Sequence, residues 1–400
     1  MKIREIGDVI TGKTPMTSKP EYFDGDIMFI TPSDIVNGYR IDASVRHISE
    51  SGYKSIQTNT LSGISVLIGC IGSDMGNVAL VQERCATNQQ INAITNFCEN
   101  VNPFYVYYLL SMKKKYFQKM AGVTTTPILP KTVLEDIDIL LPAKSNQDRV
   151  ASLLCSIDEK IVLNMKVCSQ LEAMAKTLYD YWFVQFDFPD KNGRPYRTFG
   201  GEMVWNAQLK REIPKEWEVK CITEVFDVCY GYPFDTNKFI EEDIGNPVIR
   251  IRDILETTVS ARTIEAVDEK YWVHSGDLIV GMDGNFHMNF WNGAPALLNQ
   301  RCFKVSHKED SVMVAYFSSM PYIKAREKNV TRTTVGHLGA DDVKSLYVAY
   351  PAETKKRKYI ASAFDRILDM MCLAREENRE LSKLRDWLLP MLMNGQARVE

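Results

Sequence analysis

The chain is written twice. Residues 6–15, IGDVITGKTP, return as 225–234, VFDVCYGYPF, with Asp8, Val9 and Gly12 at the places of Asp227, Val228 and Gly231. ITPSDI (30–35) answers to IRIRDI (249–254), and SGISVLIGCIGSDMGN (62–77) to SGDLIVGMDGN (275–285). ATNQQINAI (86–94) answers to LLNQRCFKV (297–305), and TTTPILPKTVLEDIDILLP (124–142) to RTTVGHLGADDVKSLYVAYP (332–351). An offset of roughly 210–219 residues describes a duplicated domain, since solenoid repeats run at 20–50 residues. Whatever the first half folds into, the second must fold into as well.

Each copy has two parts. The first, about 140 residues, mixes apolar runs of strand length (ISVLIGCI, DIDILL; DLIVGM, SLYVAY) with Gly and Asn turns. One short helix is predicted in each, over 103–120 and over 312–328, so each globule reads as α/β or α+β. The second part is a helix with heptad spacing. Steps of four and three pass through Val150, Leu154, Ile157, Ile161, Asn164, Cys168, Leu171, Ala175, Leu178 and Trp182. In the second copy they pass through Ile360, Phe364, Ile367, Met371, Ala374, Asn378, Leu381, Arg385, Leu388 and Leu392. A 3.5-residue apolar repeat of this length is a coiled-coil signature, and an Asn within each seam would set register. The economical solution is that the two stripes cover each other; the competing one is that each packs on its own globule. Residues 145–183 as one helix make a rod of roughly 58 Å. Two unlike globules on a fixed rod suit duplex DNA, whose turn is about 34 Å.

The bulk numbers exclude several classes. With 400 residues, 45% hydrophobic and 25% charged, the chain can bury two or three ordinary cores. No stretch approaches 18 apolar residues and the first 30 lack a signal-peptide core, so a cytoplasmic location is expected. None of the nine cysteines pairs at C-x₂₋₄-C spacing and the five histidines show no H-x₃-H pair, so neither zinc nor a disulfide framework is indicated. The net charge of −3 argues mildly against nucleic acid, although a basic concave face can coexist with an acidic exterior.

Residues 7–14, GDVITGKT, match the phosphate-loop pattern G-x-x-x-x-G-K-[ST]. A working phosphate loop feeds a helix N-terminus. Here Thr14 is followed by PMTSKPEYFDGD, with Pro15, Pro20 and the Asp24-Gly25 turn, and without helical periodicity. The second copy has FDVCYGYP at this place, keeping Gly231 but putting Tyr232 and Pro233 where Lys13 and Thr14 stand. The match therefore reads as coincidence on a shared Gly turn.

Several pieces together resemble the specificity (S) subunit of type I restriction–modification enzymes, the HsdS family. They are GKTP (12–15) with FITPSDI (29–35), IGSDMGNVAL…CATNQQINAI (71–94), and LPAKSNQDRVASLLCSIDEKIVLNMKVCSQLEAMAKTLYDYWFVQFDFPD (141–190). REIPKEWEV (211–219) adds a fourth. The resemblance covers essentially the whole chain. It implies two similar α/β target-recognition domains joined by two long antiparallel helices that form a coiled coil, with pseudo-two-fold symmetry. The implied organisation is a first recognition domain over 1–143, a helical spacer over 144–185 and a linker over 186–215. A second recognition domain over 216–350 and a C-terminal helical spacer over 351–400 follow. Two departures stand out: PAETKKRKYIA replaces PAKSNQDRVA before the second helix, losing its Gln, and the first domain has no counterpart of IPKEWEV.

The family implies a non-catalytic subunit that binds a bipartite, asymmetric sequence of double-stranded DNA and docks two methyltransferase (M) subunits. Those in turn recruit ATP-driven restriction (R) subunits. No cofactor is expected on this chain; S-adenosylmethionine, ATP and Mg would belong to the partners. The residues agree: there is no N/D-P-P-Y/F tetrapeptide, and the lone E-x-K, Glu353-Thr354-Lys355, reads as a helix lead-in. A nucleotide hydrolase built on GDVITGKT, or a coiled-coil scaffold that reads no DNA, are the competing readings.

Base edges are read by Arg, Lys, Asn, Gln, Ser and Thr, and phosphates by Lys, Arg, Thr and backbone N–H. Polar loops at matched places in the two copies supply the candidates. In the first domain these are Lys13, Thr14, Thr31, Ser33, Ser73, Asn77, Thr124, Thr125 and Thr126. In the second they are Tyr232, Arg250, Arg252, Asn285, His287, Arg332 and Thr333. Asn88-Gln89 and Asn299-Gln300 are identical in the two copies, so they are read as holding a common loop and not as specifying different bases. Lys113–Lys115 reads as a solvated helix end, and Tyr179, Tyr181, Trp182 and Phe183 as packing where helix and domain join.

Overall fold

A computed structural model describes residues 1–35, 39–72, 75–120, 127–240, 244–306, 310–329 and 336–399. It divides into two compact units, Met1–Ile161 with Glu380–Glu400 and Val162–Arg379. Both divisions fall inside long helices, so each globule is one body with the helical segments that pack on it.

The first unit contains two four-stranded sheets. Strands β1 (Asp8–Thr11), β2 (Phe23–Ile30), β3 (Arg46–Ile48), β4 (Thr60–Leu61), β5 (Ser65–Gly69), β6 (Val78–Val81), β7 (Cys85–Thr87) and β8 (Ile91–Thr95) assemble in the orders β1-β8-β5-β6 and β3-β2-β7-β4. The first sheet is antiparallel throughout; the second contains one parallel pair, β2 with β7. Residues 65–69, 78–81 and 91–95 are buried without alternation, as in strands covered on both faces, and the polar members Ser65, Asn92 and Thr95 are hydrogen-bonded there. The expected helix over 103–120 forms in two pieces, Pro103–Ser111 and Lys114–Met120, the first capped by the Asn102 side chain.

The second unit first adds β9 (Met203–Asn206), β10 (Arg211–Pro214) and β11 (Trp217–Cys221). It then repeats the plan with β12 (Asp227–Tyr230), β13 (Asn246–Ile249), β14 (Arg262–Thr263), β15 (Trp272–Val273), β16 (Leu278–Gly281), β17 (Met288–Phe290), β18 (Ala296–Leu298) and β19 (Cys302–Ser306). The orders are β12-β19-β16-β17 and β14-β13-β18-β15, again with one parallel pair, β13 with β18. The two domains therefore share strand order and strand direction, as the duplicated sequence demands. The predicted helix over 312–328 is a single helix, Val312–Asn329.

The segment equivalent to IPKEWEV accounts for one difference. In the second unit β11 pairs over five residues with β20 (Tyr347–Pro351). In the first unit the corresponding edge is an isolated bridge, Lys2 to Asp138, with Ile3 N–H donating to Ile137 O at 3.1 Å. The stretch 186–215, read from the sequence as a linker, is built into the second unit. It contains the β9–β10 hairpin, and Phe188 stacks on Tyr196 with ring centroids 4.8 Å apart and packs at a tilt against Trp217 at 5.0 Å.

The long helices run Lys144–Tyr179, continued by a wider turn over Asp180–Val184, and Thr354–Met393. Most residues of the first stripe, and Ile360, Phe364, Ile367, Met371 and Leu392 of the second, are buried, the rest of both stripes being partly buried, and pairing and domain packing occur together. In the second unit Cys168, Leu171, Ala175, Ile360, Phe364, Ile367 and Met371 share one core with the sheet and with Trp182 and Phe183. Asn164 Nδ2 donates to Asn378 Oδ1 at 2.9 Å and to Glu377 Oε2 at 2.7 Å, a polar contact inside the seam that fixes antiparallel register. In the first unit the register partner is ionic: Arg385 Nη1 donates to Asp158 Oδ1 at 2.7 Å.

The helix starts differ as their sequences do. Gln147 is buried; its Nε2 donates to Pro142 O and Asn100 O, and its Oε1 accepts from Asn102 N–H at 2.9 Å. The second helix, which lacks this Gln, carries Arg357, whose guanidinium donates through Nη2 (2.5 Å) and Nε (3.3 Å) to the fully buried Asp310. An ion pair thus replaces an amide as the clasp between helix start and domain. Glu353 and Lys355 flank Thr354, the first residue of that helix, in keeping with a lead-in role.

Candidate nucleic-acid interface

The Gly turn that opens each copy is dictated by crowding. Gly12 N–H donates to Ile91 O and Gly231 N–H to Cys302 O, both at 3.0 Å. A Cβ on Gly12 would lie 2.1 Å from Thr87 Oγ1 and 2.3 Å from Asn88 O; on Gly231 it would lie 2.1 Å from Asn299 O. The glycine shared by the two copies, Gly12 and Gly231, reflects this approach between strand and loop. Residues 12–19 form no helix, so no helix N-terminus faces Lys13 and Thr14, and the phosphate-loop reading is overturned by the fold. Gly12→Ala should cost about 1–3 kcal/mol by forcing the Asn88 loop outward. A thermal melt unchanged from that of the parent would contradict this assignment.

The loop pressed against each glycine forms one side of a cavity. In the first domain Thr31, Pro32, Ser33, Val45, Arg46, Ile71, Gly72, Asn88 and Gln90 enclose about 480 Å³. In the second domain a cavity of about 850 Å³ lies at the corresponding place. It is lined by Arg250, Ile251, Arg252, Asn285, His287, Asn299, Gln300 and Arg301, with Ser260, Ala261 and residues of 236–240.

Two turns build each cavity, and their anchors are the same in both domains. Asp34 Oδ2 accepts from the N–H and the hydroxyl of Thr31, both at 2.8 Å. Asp253 Oδ2 accepts from Arg250 N–H at 2.9 Å. Asn88 Oδ1 accepts from Gln90 N–H and Asn299 Oδ1 from Arg301 N–H, both at 3.1 Å, as side-chain-closed turns. The carbonyls of Gln90 and Arg301 accept from Cys70 N–H and Met282 N–H, both at 2.8 Å. The shared Asn is thus a frame residue, as its identity in the two copies suggests.

Of the residues picked from sequence, Thr31 and Ser33 line the first cavity, and Arg250, Arg252, Asn285 and His287 line the second. Lys13 is exposed beyond β1, while Thr14 donates to Gln89 Oε1 at 2.8 Å on the Asn88 loop. Asn77 stands at the β5–β6 turn, its carbonyl accepting from Gly69 N–H, and lines neither cavity. Tyr232 is half-buried, with its ring 5.0 Å from Phe234 and 5.3 Å from Tyr271, and packs a small apolar cluster. Ser73, Thr124, Thr125, Thr126, Arg332 and Thr333 lie outside the described residues. Arg46, Gln90 and Arg301 were missed. The signal for the last two was one residue beyond the identical Asn-Gln pair, where NQQ becomes NQR.

The charge of the cavities differs. Arg301 and His337 both bind Asp283; His337 Nδ1 is 2.7 Å from Asp283 Oδ1. Burial raises the Asp283 pKa, but His337 and Arg301 outweigh it and hold the carboxyl below its ordinary value. At the matching places the first domain has Ile71 and Ile128, joined by the same backbone bridge that joins Asp283 and His337. Cys85 and Cys302 are fully buried, and burial pushes their thiols up to about 12.

Two domains of one topology, each presenting a polar concavity with a common frame and unlike linings, define a duplicated recognition protein. The family model for the type I restriction modification DNA specificity domain matches residues 1–173 and 214–383, and the chain belongs to that family. Over all of this chain, and 93% of the relative, it is 28% identical to the type I restriction enzyme MjaIX specificity subunit of Methanocaldococcus jannaschii. It is 34% identical over 158 residues, 39% of this chain and 33% of the relative, to the EcoBI specificity subunit of Escherichia coli. The crystal structure of a type I restriction–modification S subunit from M. genitalium shares the fold, with a TM-score of 0.56 at 14% identity over 98% of this chain and 95% of that one. No described helix is long and apolar enough to cross a membrane.

Proposed function

We infer that this chain is the DNA sequence-specificity subunit of a type I restriction–modification complex. Its two domains bind the halves of a bipartite, asymmetric duplex target. The observation that carries this reading is the pair of corresponding cavities with identical anchors, Asp34/Asp253 and Asn88/Asn299, and unlike linings. A protein reading one palindromic sequence has no use for two different linings; a reader of two unlike half-sites needs them. The lining of Thr31, Ser33, Arg46 and Gln90, with one cation, and the lining of Arg250, Arg252 and Arg301, with three, suit different base edges.

In this reading the chain itself is non-catalytic and holds no cofactor. Two methyltransferase subunits supply S-adenosylmethionine and the chemistry, and restriction subunits supply ATP and Mg-dependent translocation and cleavage. Exposed Leu163, Met165, Met370 and Leu373 on the helical segments of the second unit are apolar side chains that support docking of protein partners. A cytoplasmic location, beside the DNA it reads, goes with this reading.

Exchanging residues 1–143 for the first domain of another family member should change one half of the methylated sequence and leave the other half and the spacing intact. Methylome sequencing of a host carrying the chimera with its methyltransferase subunit reads the result directly. Both halves unchanged, or a wild-type chain that yields no bipartite motif, would refute the assignment.

A further inference from the structure

Within each cavity one position is held by the frame yet differs between the domains. At 90 and 301 the backbone N–H is taken by the preceding Asn side chain and the backbone carbonyl by the facing strand, in the same way in both copies. The side chain differs: it is Gln in one domain, its Oε1 accepting from Asn88 Nδ2 at 2.9 Å with its Nε2 amide outside that bond, and Arg in the other. The Arg comes with its own support. Asp283, only 15% exposed, binds Arg301 and His337, whose side chains remain 62% and 61% exposed. In the domain with Gln90, which needs no counter-charge, the two supporting positions are Ile71 and Ile128. The support therefore changes together with the residue it serves.

From this we propose that Gln90 and Arg301 are base-reading residues, Arg301 selecting a guanine in the half-site of the second domain and Gln90 an adenine in that of the first. The pairing follows from side-chain geometry: a guanidinium can donate twice to guanine O6 and N7, and a carboxamide can donate to adenine N7 while accepting from its N6 amino group. One Arg nitrogen, Nη1, is committed to Asp283, which sets the plane of the fork instead of leaving it to rotate. A phosphate contact would need only the charge, and neither a fixed plane nor a buried carboxylate partner. Asp283 is then a positioning residue: it touches Arg301 and not the base.

The proposal rests on the DNA-specificity reading, and the test separates the two. Wild type, Arg301→Lys, Arg301→Ala, Asp283→Asn and Gln90→Ala are each expressed with the methyltransferase subunit, and the methylome is sequenced. Binding of the assembled complexes to duplexes randomised in one half-site is measured across salt concentrations. Circular dichroism confirms that each variant is folded. The wild-type motif should contain guanine in the second half-site and adenine in the first. Arg301→Lys and Arg301→Ala should both lose discrimination at one base pair of the second half-site by about 10- to 100-fold, leaving the first half-site unchanged. Gln90→Ala should do the converse. Asp283→Asn should weaken discrimination at the Arg301 base pair while changing the salt dependence little.

If Arg301→Lys keeps the motif intact and Arg301→Ala weakens binding uniformly with a salt slope reduced by about one, Arg301 is a phosphate contact and the proposal falls. A wild-type motif without guanine in the second half-site, or variants with unaltered motifs, would overturn it equally while leaving the bipartite reading in place. Absence of any bipartite motif in the wild type would instead remove the underlying assignment.

Discussion

Exchanging Arg357 for methionine should destabilise the unit of residues 162–379 by about 3–5 kcal/mol. The cost comes from what remains behind. Asp310 is fully buried and its carboxylate receives two donors from the Arg357 guanidinium, so the variant leaves a charge in the interior with both of those bonds gone. Asp310→Asn should cost less, about 1–3 kcal/mol, because Arg357 stands near the surface and its charge can reach water. The double variant Arg357→Met with Asp310→Leu should recover most of the loss, since apolar side chains of similar size pack there without desolvating a charge. Tryptophan fluorescence during urea unfolding is a suitable measurement, because five of the six tryptophans, Trp182, Trp205, Trp217, Trp272 and Trp291, lie in this unit. Equal midpoints for Arg357→Met and the parent would show that the pair is not the clasp described here.

The second large effect belongs to the other unit. Asp158 is buried and accepts from Arg385 Nη1 at 2.7 Å and from the Tyr108 hydroxyl at 2.6 Å. Tyr108 is itself buried; desolvation foremost, with the neighbouring carboxylate, drives its pKa far above the ordinary phenol value, so it stays a neutral donor. Arg385 therefore carries the only positive charge shown within hydrogen-bond distance of Asp158 among the described residues. Arg385→Met should cost about 3 kcal/mol and loosen residues 380–393 from the domain. Hydrogen exchange should show that loss of protection along this segment, with little change in strands β5 and β8. The triple replacement Tyr108→Phe, Asp158→Leu and Arg385→Leu should be more stable than Arg385→Met alone. If the single and triple variants exchange alike, the network has no role in holding the helix.

Much of this architecture was legible because duplication supplies an internal comparison. Strands β5 and β16 are apolar runs that recur at matched offsets, and the heptad stripes of both long helices are visible without any structure. The seam Asn164 was correctly placed, and its partner Asn378 follows from the antiparallel pairing. What the residues did not disclose was three-dimensional adjacency. Arg357 and Asp310 are 47 positions apart and lie on no common motif, so the replacement for the missing Gln looked like a loss. The aromatic residues of 183–217 form a packed hairpin segment because Phe186, Phe188 and Trp217 meet through the fold, which their spacing alone does not state. At the site, chemistry-based selection found the cavity-lining residues of 250–252 and 285–287. It passed over Gln90 and Arg301 because the identical Asn-Gln beside them gave the whole loop the look of scaffolding. Tyr232 was chosen for its place in the repeat, and burial against Phe234 and Tyr271 gives it a packing role.

The fixed anchors of the two turns bear on how such a chain can change over generations. Asp34 and Asp253, with Asn88 and Asn299, satisfy the backbone groups that would otherwise be left unpaired in a tight loop. The backbone of each turn is thus held without calling on the side chains at 90 and 301, and positions whose exchange leaves the backbone bonds intact tolerate substitution at modest cost in stability. Drift at those positions can alter the recognised sequence in single steps, each intermediate remaining a folded protein. Because the two domains carry separate sets of anchors, one half of the recognised sequence can wander while the other is retained.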